Sequence, residues 1–302
     1  MSKIIKGVLI VMLLISLFTS CAEPSERRIT DVRIYQNTPA WELARAVRSQ
    51  DVRRIARIGE SNPELLDFQD PVHGMTLLFW AVGMERYEAA EALLKAGADP
   101  DIISVREGGT ALYRAAGFSF IDNNANRDPR FVKLLLAHGA DPNIGFVGSA
   151  HNTSEIGITP LMRSIRGGIE KTRALVEAGA DINFATETGL TAAIHALRAG
   201  TWNVTDRVRL YAHYLIVELQ AIVTEPYIIR SSGGEERKAY PVDILRNWVA
   251  RPGSEGHRIK MEIVEEFARQ GVDYWATEIP QRVVERFQSL YPDTWEEYLK
   301  IY

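Results

Sequence analysis

Three turns of nearly one spelling constrain this chain more than any other feature. A-G-A-D-P-D at 96–101 returns as H-G-A-D-P-N at 138–143 and as A-G-A-D-I-N at 178–183. Each follows a stretch with helical apolar spacing that ends in Leu93-Leu94, Leu134-Leu135-Leu136 or Leu175-Val176. Glycine suits the left-handed residue that closes a helix, and Asp-x-Asn/Asp after it favours a tight turn. A second echo precedes each helix. G-M-T-L-L-F-W-A starts at Gly74, G-G-T-A-L-Y-R-A at Gly108, G-I-T-P-L-M-R-S at Gly157 and G-L-T-A-A-I-H-A at Gly189. Here glycine permits a turn, threonine caps a first helix, and the apolar residues begin its buried face. The threonines lie 34, 49 and 32 residues apart.

Two motifs alternating in this order resemble the ankyrin repeat family, whose pattern is G-x-T-P-L-H-x-A, a second helix ending in L-L, then G-A-D-x-N. Its period is about 33 residues. The chain departs from the pattern at the family histidine, replaced by Phe79, Tyr113, Met162 and Ile194, and only Pro160 keeps the proline. The resemblance implies an all-α ankyrin-repeat solenoid of helix-turn-helix units with short hairpin-like fingers. The array is expected over 38–273, with clear repeats over about 71–200 and degenerate ones at 38–68 and 240–273. Terminal repeats depart from consensus because one face meets water. A helical cap is expected over 274–302, with helices near 281–290 and 294–301.

Three stretches break the period. Residues 118–129 lengthen the link between the helices of the second clear repeat, and 144–156 lengthen the finger before the third. Residues 225–238, with Ser231-Ser232-Gly233-Gly234, read as a flexible loop. Long insertions in a compact domain are either functional or unstructured. The second carries Phe146, Val147 and His151 among glycines and small polar residues, as apolar anchors for a partner. Carried over repeat by repeat, the family's variable binding positions fall at Val72, His73, Met75 and Met84, then Arg106, Glu107 and Phe118. In the third and fourth repeats they are Glu155, Ile158 and Arg166, and Glu187, Leu190 and Arg198. This mixture of apolar, aromatic and arginine side chains suits a protein interface.

The first residues follow other rules. Lys3 and Lys6 precede an apolar run over 7–18, too short to span a bilayer core of about 30 Å as a helix. Thr19-Ser20 then lead into Cys21, the one cysteine of the chain. Basic start, short apolar core and terminal small residues read as an export signal over 1–20. The end resembles the lipobox of bacterial lipoproteins, with Phe18 where leucine is usual. That resemblance implies lipidation of Cys21, a linker over 21–37, and a tether on the periplasmic side of the outer membrane. The inner membrane is the alternative. Loss of two lysines with the leader takes the formal net charge from −4 to −6, poorly matched to nucleic acid.

No glycine-rich phosphate loop, nucleophile elbow or H-E-x-x-H motif is present, and the six histidines lack metal-ligand spacing. No enzyme, cofactor or metal is therefore expected. The expected role is that of a monomer binding another protein through its concave face and fingers. That partner is either a secreted toxin held inactive by an immunity protein or a resident envelope protein on a scaffold.

Overall fold

The computed structural model describes residues 28–117, 120–121, 127–148, 156–165, 167–202, 206–230 and 233–302. The expected leader over 1–20, Cys21, Phe118, His151, Glu155 and Arg166 lie outside these residues.

Threonine opens the helices where the sequence places it. Thr76, Thr110, Thr159 and Thr191 each accept a hydrogen bond from the main-chain N–H three residues on, at 3.2, 3.1, 3.3 and 3.3 Å. Each satisfies one donor that the first helical turn leaves without an intrahelical partner. Glycine closes the second helix of three units: Gly97, Gly139 and Gly179 have φ of 104°, 88° and 89°. The next N–H then folds back, so that Ala98, Ala140 and Ala180 donate to Leu93, Leu135 and Leu175 at 3.0, 3.1 and 3.0 Å.

Six helix pairs result among the described residues. They are α1 (Trp41–Ser49) with α2 (Val52–Ser61), α3 (Leu77–Gly83) with α4 (Tyr87–Lys95), and α5 (Ala111–Ala116) with α6 (Arg130–Ala137). Next come α7 (Pro160–Ser164) with α8 (Ile169–Glu177), α9 (Ala192–Trp202) with α10 (Asp206–His213), and α11 (Pro241–Leu245) with α12 (Glu255–Arg269). First helices pack on first helices and second on second, which makes two layers. One continuous apolar core runs between them from Val32 to Tyr274. This is an all-α ankyrin-repeat solenoid.

The turns form a ladder along one edge. The N–H of Asp99 donates to Asp67 Oδ1 (2.9 Å), that of Asp141 to Asp101 Oδ1 (3.0 Å) and that of Asp181 to Asn143 Oδ1 (2.8 Å). The N–H of Ile222 continues it to Asn183 Oδ1 (2.9 Å). The last rung shows a turn that its spelling hides. Gln220 takes the left-handed place of glycine, at φ 56°, and Ala221 donates to Leu215 at 2.9 Å. A wide helical turn over Tyr214–Glu218 inserts one residue ahead of it.

The described residues of 225–238 pair as a hairpin where a flexible loop is expected. Strand β1 (Tyr227–Arg230) pairs antiparallel with β2 (Glu236–Ala239), with Tyr227 opposite Ala239 and Arg230 opposite Glu236. Tyr227 and Ala239 are buried, and this apolar pair fixes the register of an otherwise exposed ribbon. Beyond the array, α13 (Gln281–Leu290) and α14 (Trp295–Lys300) enclose a separate cluster of Val283, Phe287 and Tyr302.

Candidate protein-binding surface

The first finger, before α3, is held by a buried carboxylate. Asp70 accepts from the N–H of Val72 (3.0 Å) and His73 (2.7 Å) through Oδ1 and from Met75 (2.8 Å) through Oδ2. The Tyr35 hydroxyl donates to the Met75 carbonyl at 2.7 Å. Burial, then the Asp70 charge, push the Tyr35 phenol well above its ordinary pKa, so it stays a donor. Gln69 donates to the carbonyls of Gly74 (2.7 Å) and Ile103 (2.9 Å), joining this finger to the next. Neither Asp70 nor Gln69 belongs to a repeat signature. The cue in the sequence is only an aspartate placed before a turn.

Consecutive fingers then join through the main chain. Val105 donates to the Gly74 carbonyl at 3.1 Å and Val147 to the Gly108 carbonyl at 2.8 Å. These two bonds make Val105 and Val147 equivalent positions. Both side chains face outward, 73% and 55% exposed. Val147 thus lies on the open surface, as an anchor must. Val105, absent from the expected positions, lies there with it, and Ile156 is exposed on the same finger.

A second expected anchor on that finger turns inward. Phe146 is buried and stacks on Tyr113, with ring centroids 5.5 Å apart. Its N–H donates to the Ile158 carbonyl at 2.9 Å, and Gly157 donates back to the Phe146 carbonyl at 2.8 Å. This pairing places Phe146 against the core and Val147 outside, because neighbouring residues on a strand face opposite sides. Ile158 and Met75 are likewise core, and His73 is buried with its Nδ1 3.1 Å from an Arg106 guanidinium nitrogen. Those four positions stabilise the finger bases rather than offering free side chains to a partner.

Between fingers and inner helices lies a strip of arginines on aromatic rings. Arg114 pairs with Glu107 Oε2 at 2.5 Å, and its guanidinium carbon lies 4.3 Å from the Phe120 ring centre and 5.5 Å from that of Phe79. Burial draws the Arg114 pKa down, and Glu107 opposes that shift. Arg163 repeats the arrangement 5.4 Å from the Tyr113 ring centre. Phe120 comes from the first insertion, whose start is docked by a bond from its N–H to the Gly83 carbonyl at 2.7 Å.

The remaining expected positions are spread along this face. Val72, Met84, Arg106, Glu107 and Leu190 are half-buried, and Glu187 and Arg198 are exposed. Arginines and aromatic rings are the side chains that concentrate energy at protein interfaces, and the exposed valines add apolar contact area beside them. Among the described residues no group of acidic, histidine or cysteine side chains is placed to hold a metal ion, and no helix is long and apolar enough to cross a membrane.

The ankyrin repeat model matches residues 73–105 and 107–145, the units of α3–α4 and α5–α6. Residues 73–145 therefore match ankyrin repeats. It is 34% identical over 118 residues to Protein PhlB of Serratia liquefaciens, which covers 39% of this chain and 45% of that protein. It is 35% identical over 111 residues to the B-cell lymphoma 3 protein homolog of Mus musculus, covering 36% and 21%. The chain thus spans less than half the length of the curated relatives it matches. Among solved structures, that of EF0377, an ankyrin repeat protein, superposes with a TM-score of 0.49 at 19% identity, covering 77% of this chain and 99% of that one.

Proposed function

We propose that this chain is a membrane-tethered protein-binding module, lipidated at Cys21 and facing the periplasm, that holds a secreted toxin inactive. The binding reading rests above all on Val105 and Val147, equivalent residues of adjacent fingers that leave apolar side chains in solvent. A rigid array offers such side chains with little ordering cost on association. The tether rests on the sequence alone: a short export signal that ends in the one cysteine. The toxin reading rests on the resemblance to ankyrin-repeat lipoproteins that serve as immunity proteins.

The test of binding uses the full chain as bait against purified secreted toxins encoded beside its gene. Capture of one of them is expected at one-to-one ratio, with affinity reduced at least about tenfold by Val105→Asp with Val147→Asp. Cells lacking the gene are expected to become sensitive to that toxin. Unaltered resistance would overturn the immunity role. Equal capture by the double variant would remove the finger valines from the interface. Metabolic labelling with palmitate, abolished by Cys21→Ser, tests the tether.

A further inference from the structure

Two adjoining recesses near the end of the array are lined by arginines. A groove of about 490 Å³ runs between the end of α9, the loop from α11 to α12, and α13. Arg209, Arg251, Arg282 and Arg286 line it over a floor that includes Val283 and Leu290. Thr201, Asn247 and Arg282 also line a second recess of about 210 Å³, so the two are continuous. The second recess adds Arg198 and Arg237 beside Tyr227 and Ile229 of the finger hairpin.

Five of these arginines are unmatched. Arg198, Arg237, Arg251, Arg282 and Arg286 are exposed, and none forms an ion pair with a carboxylate among the described residues. Arg282 donates instead to a neutral amide oxygen, Asn247 Oδ1, at 2.9 Å. Among the described residues the one carboxylate lining either recess is Asp243, and it accepts from the Tyr240 N–H at 3.0 Å. Nearby helices show the contrast. On α12, Arg258 bridges Glu255 and Glu262, and Arg269 holds Glu266. A chain of net charge −4 has thus gathered unpaired cations in one recess. Mutual repulsion there is relieved when anions enter.

We infer that this groove binds an acidic segment of a protein partner, one in which aspartates or glutamates alternate with apolar side chains. This rests on the protein-binding reading and names the chemistry of the partner. The guanidinium fork matches a carboxylate in two parallel hydrogen bonds. Leu290 and Ile229 offer apolar seats between the arginines, which a nucleic-acid backbone would leave unused. A recess also fits an inserted strand better than the headgroup plane of a membrane, which needs a flat or convex basic face. The net acidic remainder of the chain repels both extended polyanions.

The test is fluorescence anisotropy of a labelled peptide of about ten residues with alternating Glu and Leu, titrated with the full chain. Saturable binding is expected, weakened at least about tenfold by Arg282→Glu with Arg286→Glu and severalfold between about 50 and about 300 mM salt. Arg53→Glu with Arg57→Glu makes the same charge change on the exposed face of α2 and is expected to leave binding unaltered. Circular dichroism checks that all variants fold, and Arg251→Glu supplies a second route if the α13 pair does not. Absent peptide binding, or equal binding by the groove variants, overturns the inference. So does arginine-dependent binding of phosphatidylglycerol vesicles or an oligonucleotide with none of the peptide. Toxin capture lost in the finger-valine variant but kept in the groove variant sinks this inference alone. Arginine-dependent peptide binding with no toxin captured sinks the toxin reading alone.

Discussion

Lys171 shows how one residue couples two repeats. It is buried, and its ammonium donates to the carbonyls of Ala115 at 2.7 Å and Gly117 at 3.3 Å. Burial draws its pKa from 10.5 to about 8, while Asp128 and Glu85 oppose that shift. The folded chain therefore releases this proton before the unfolded chain does. Between those two values the unfolded state holds more protons, so stability rises with pH across the window and is lost as pH falls through about 8. Urea unfolding across this range, compared with Lys171→Met, is expected to show wild type gaining about 1–2 kcal/mol on the variant, the full shift being reduced by solvent screening. A pH-independent difference would refute the assignment. Sequence reading cannot reach Lys171, because its two acceptors lie 56 and 54 residues upstream. A lysine near the start of a repeat helix otherwise reads as a solvated side chain.

Turns and fingers divide by how local their chemistry is. Threonine caps and closing glycines satisfy partners within five residues, so their spelling survives in the sequence. The inward turn of Phe146 and Ile158 does not, because pairing between the two sides of the finger decides which alternate residue is buried. Gln220 escapes notice for a similar reason: an extra residue in the preceding helical turn shifts the register, and glutamine replaces glycine. Gly108 tests the close approach of fingers. At φ +70°, a Cβ there would meet the Gly148 carbonyl oxygen at 2.2 Å and the Phe146 ring at 2.6 Å. Gly108→Ala is expected to cost about 2–4 kcal/mol in urea unfolding, against about 1 kcal/mol for Gly97→Ala. At Gly97 the φ of +104° strains a side chain but nothing lies within 4 Å. Equal losses would remove the steric account. The turn ladder makes the opposite prediction for Asp101. Burial raises its pKa, and the Asp99 and Asp141 charges add to this, while its bond from the Asp141 N–H lowers it. Asparagine performs the same task at Asn143 and Asn183 without charge. Asp101→Asn is therefore expected to raise the thermal midpoint at neutral pH, by about 0.5 kcal/mol in stability, with the gain vanishing in acid.

At the scale of the molecule, the question is how the last helices join the array. A repeat protein gains stability from nearest-neighbour contacts, so an end unit is only as firm as its single interface. The cluster of Val283, Phe287 and Tyr302 is small and separate from the main core. Three buried side chains stabilise it by only about 1.5–3 kcal/mol each at most. What docks it is Tyr302. Its main-chain oxygen accepts from Arg246 and, at 3.1 Å, from the Tyr274 hydroxyl, and the Lys260 ammonium lies 3.1 Å from its ring centre. Arg246 in turn donates to the Thr277 carbonyl at 3.0 Å and lies over the Tyr274 ring. Burial, then the charges of Arg246 and Arg209, hold the Lys260 pKa well below its usual value, so this contact joins the cap to a costly buried amine. Tyr302→Ala is expected to free α13 and α14 locally. Their amides would exchange about 10–100-fold faster while those of α3 to α6 keep their protection, as hydrogen exchange read by mass spectrometry can resolve. Uniform acceleration along the chain would mean instead that cap and array unfold as one unit. The same variant links stability to recognition, because α13 supplies Arg282 and Arg286 to the arginine groove. Loss of acidic-peptide binding together with local exchange in α13 would establish that the last helices complete a binding face as well as closing the core.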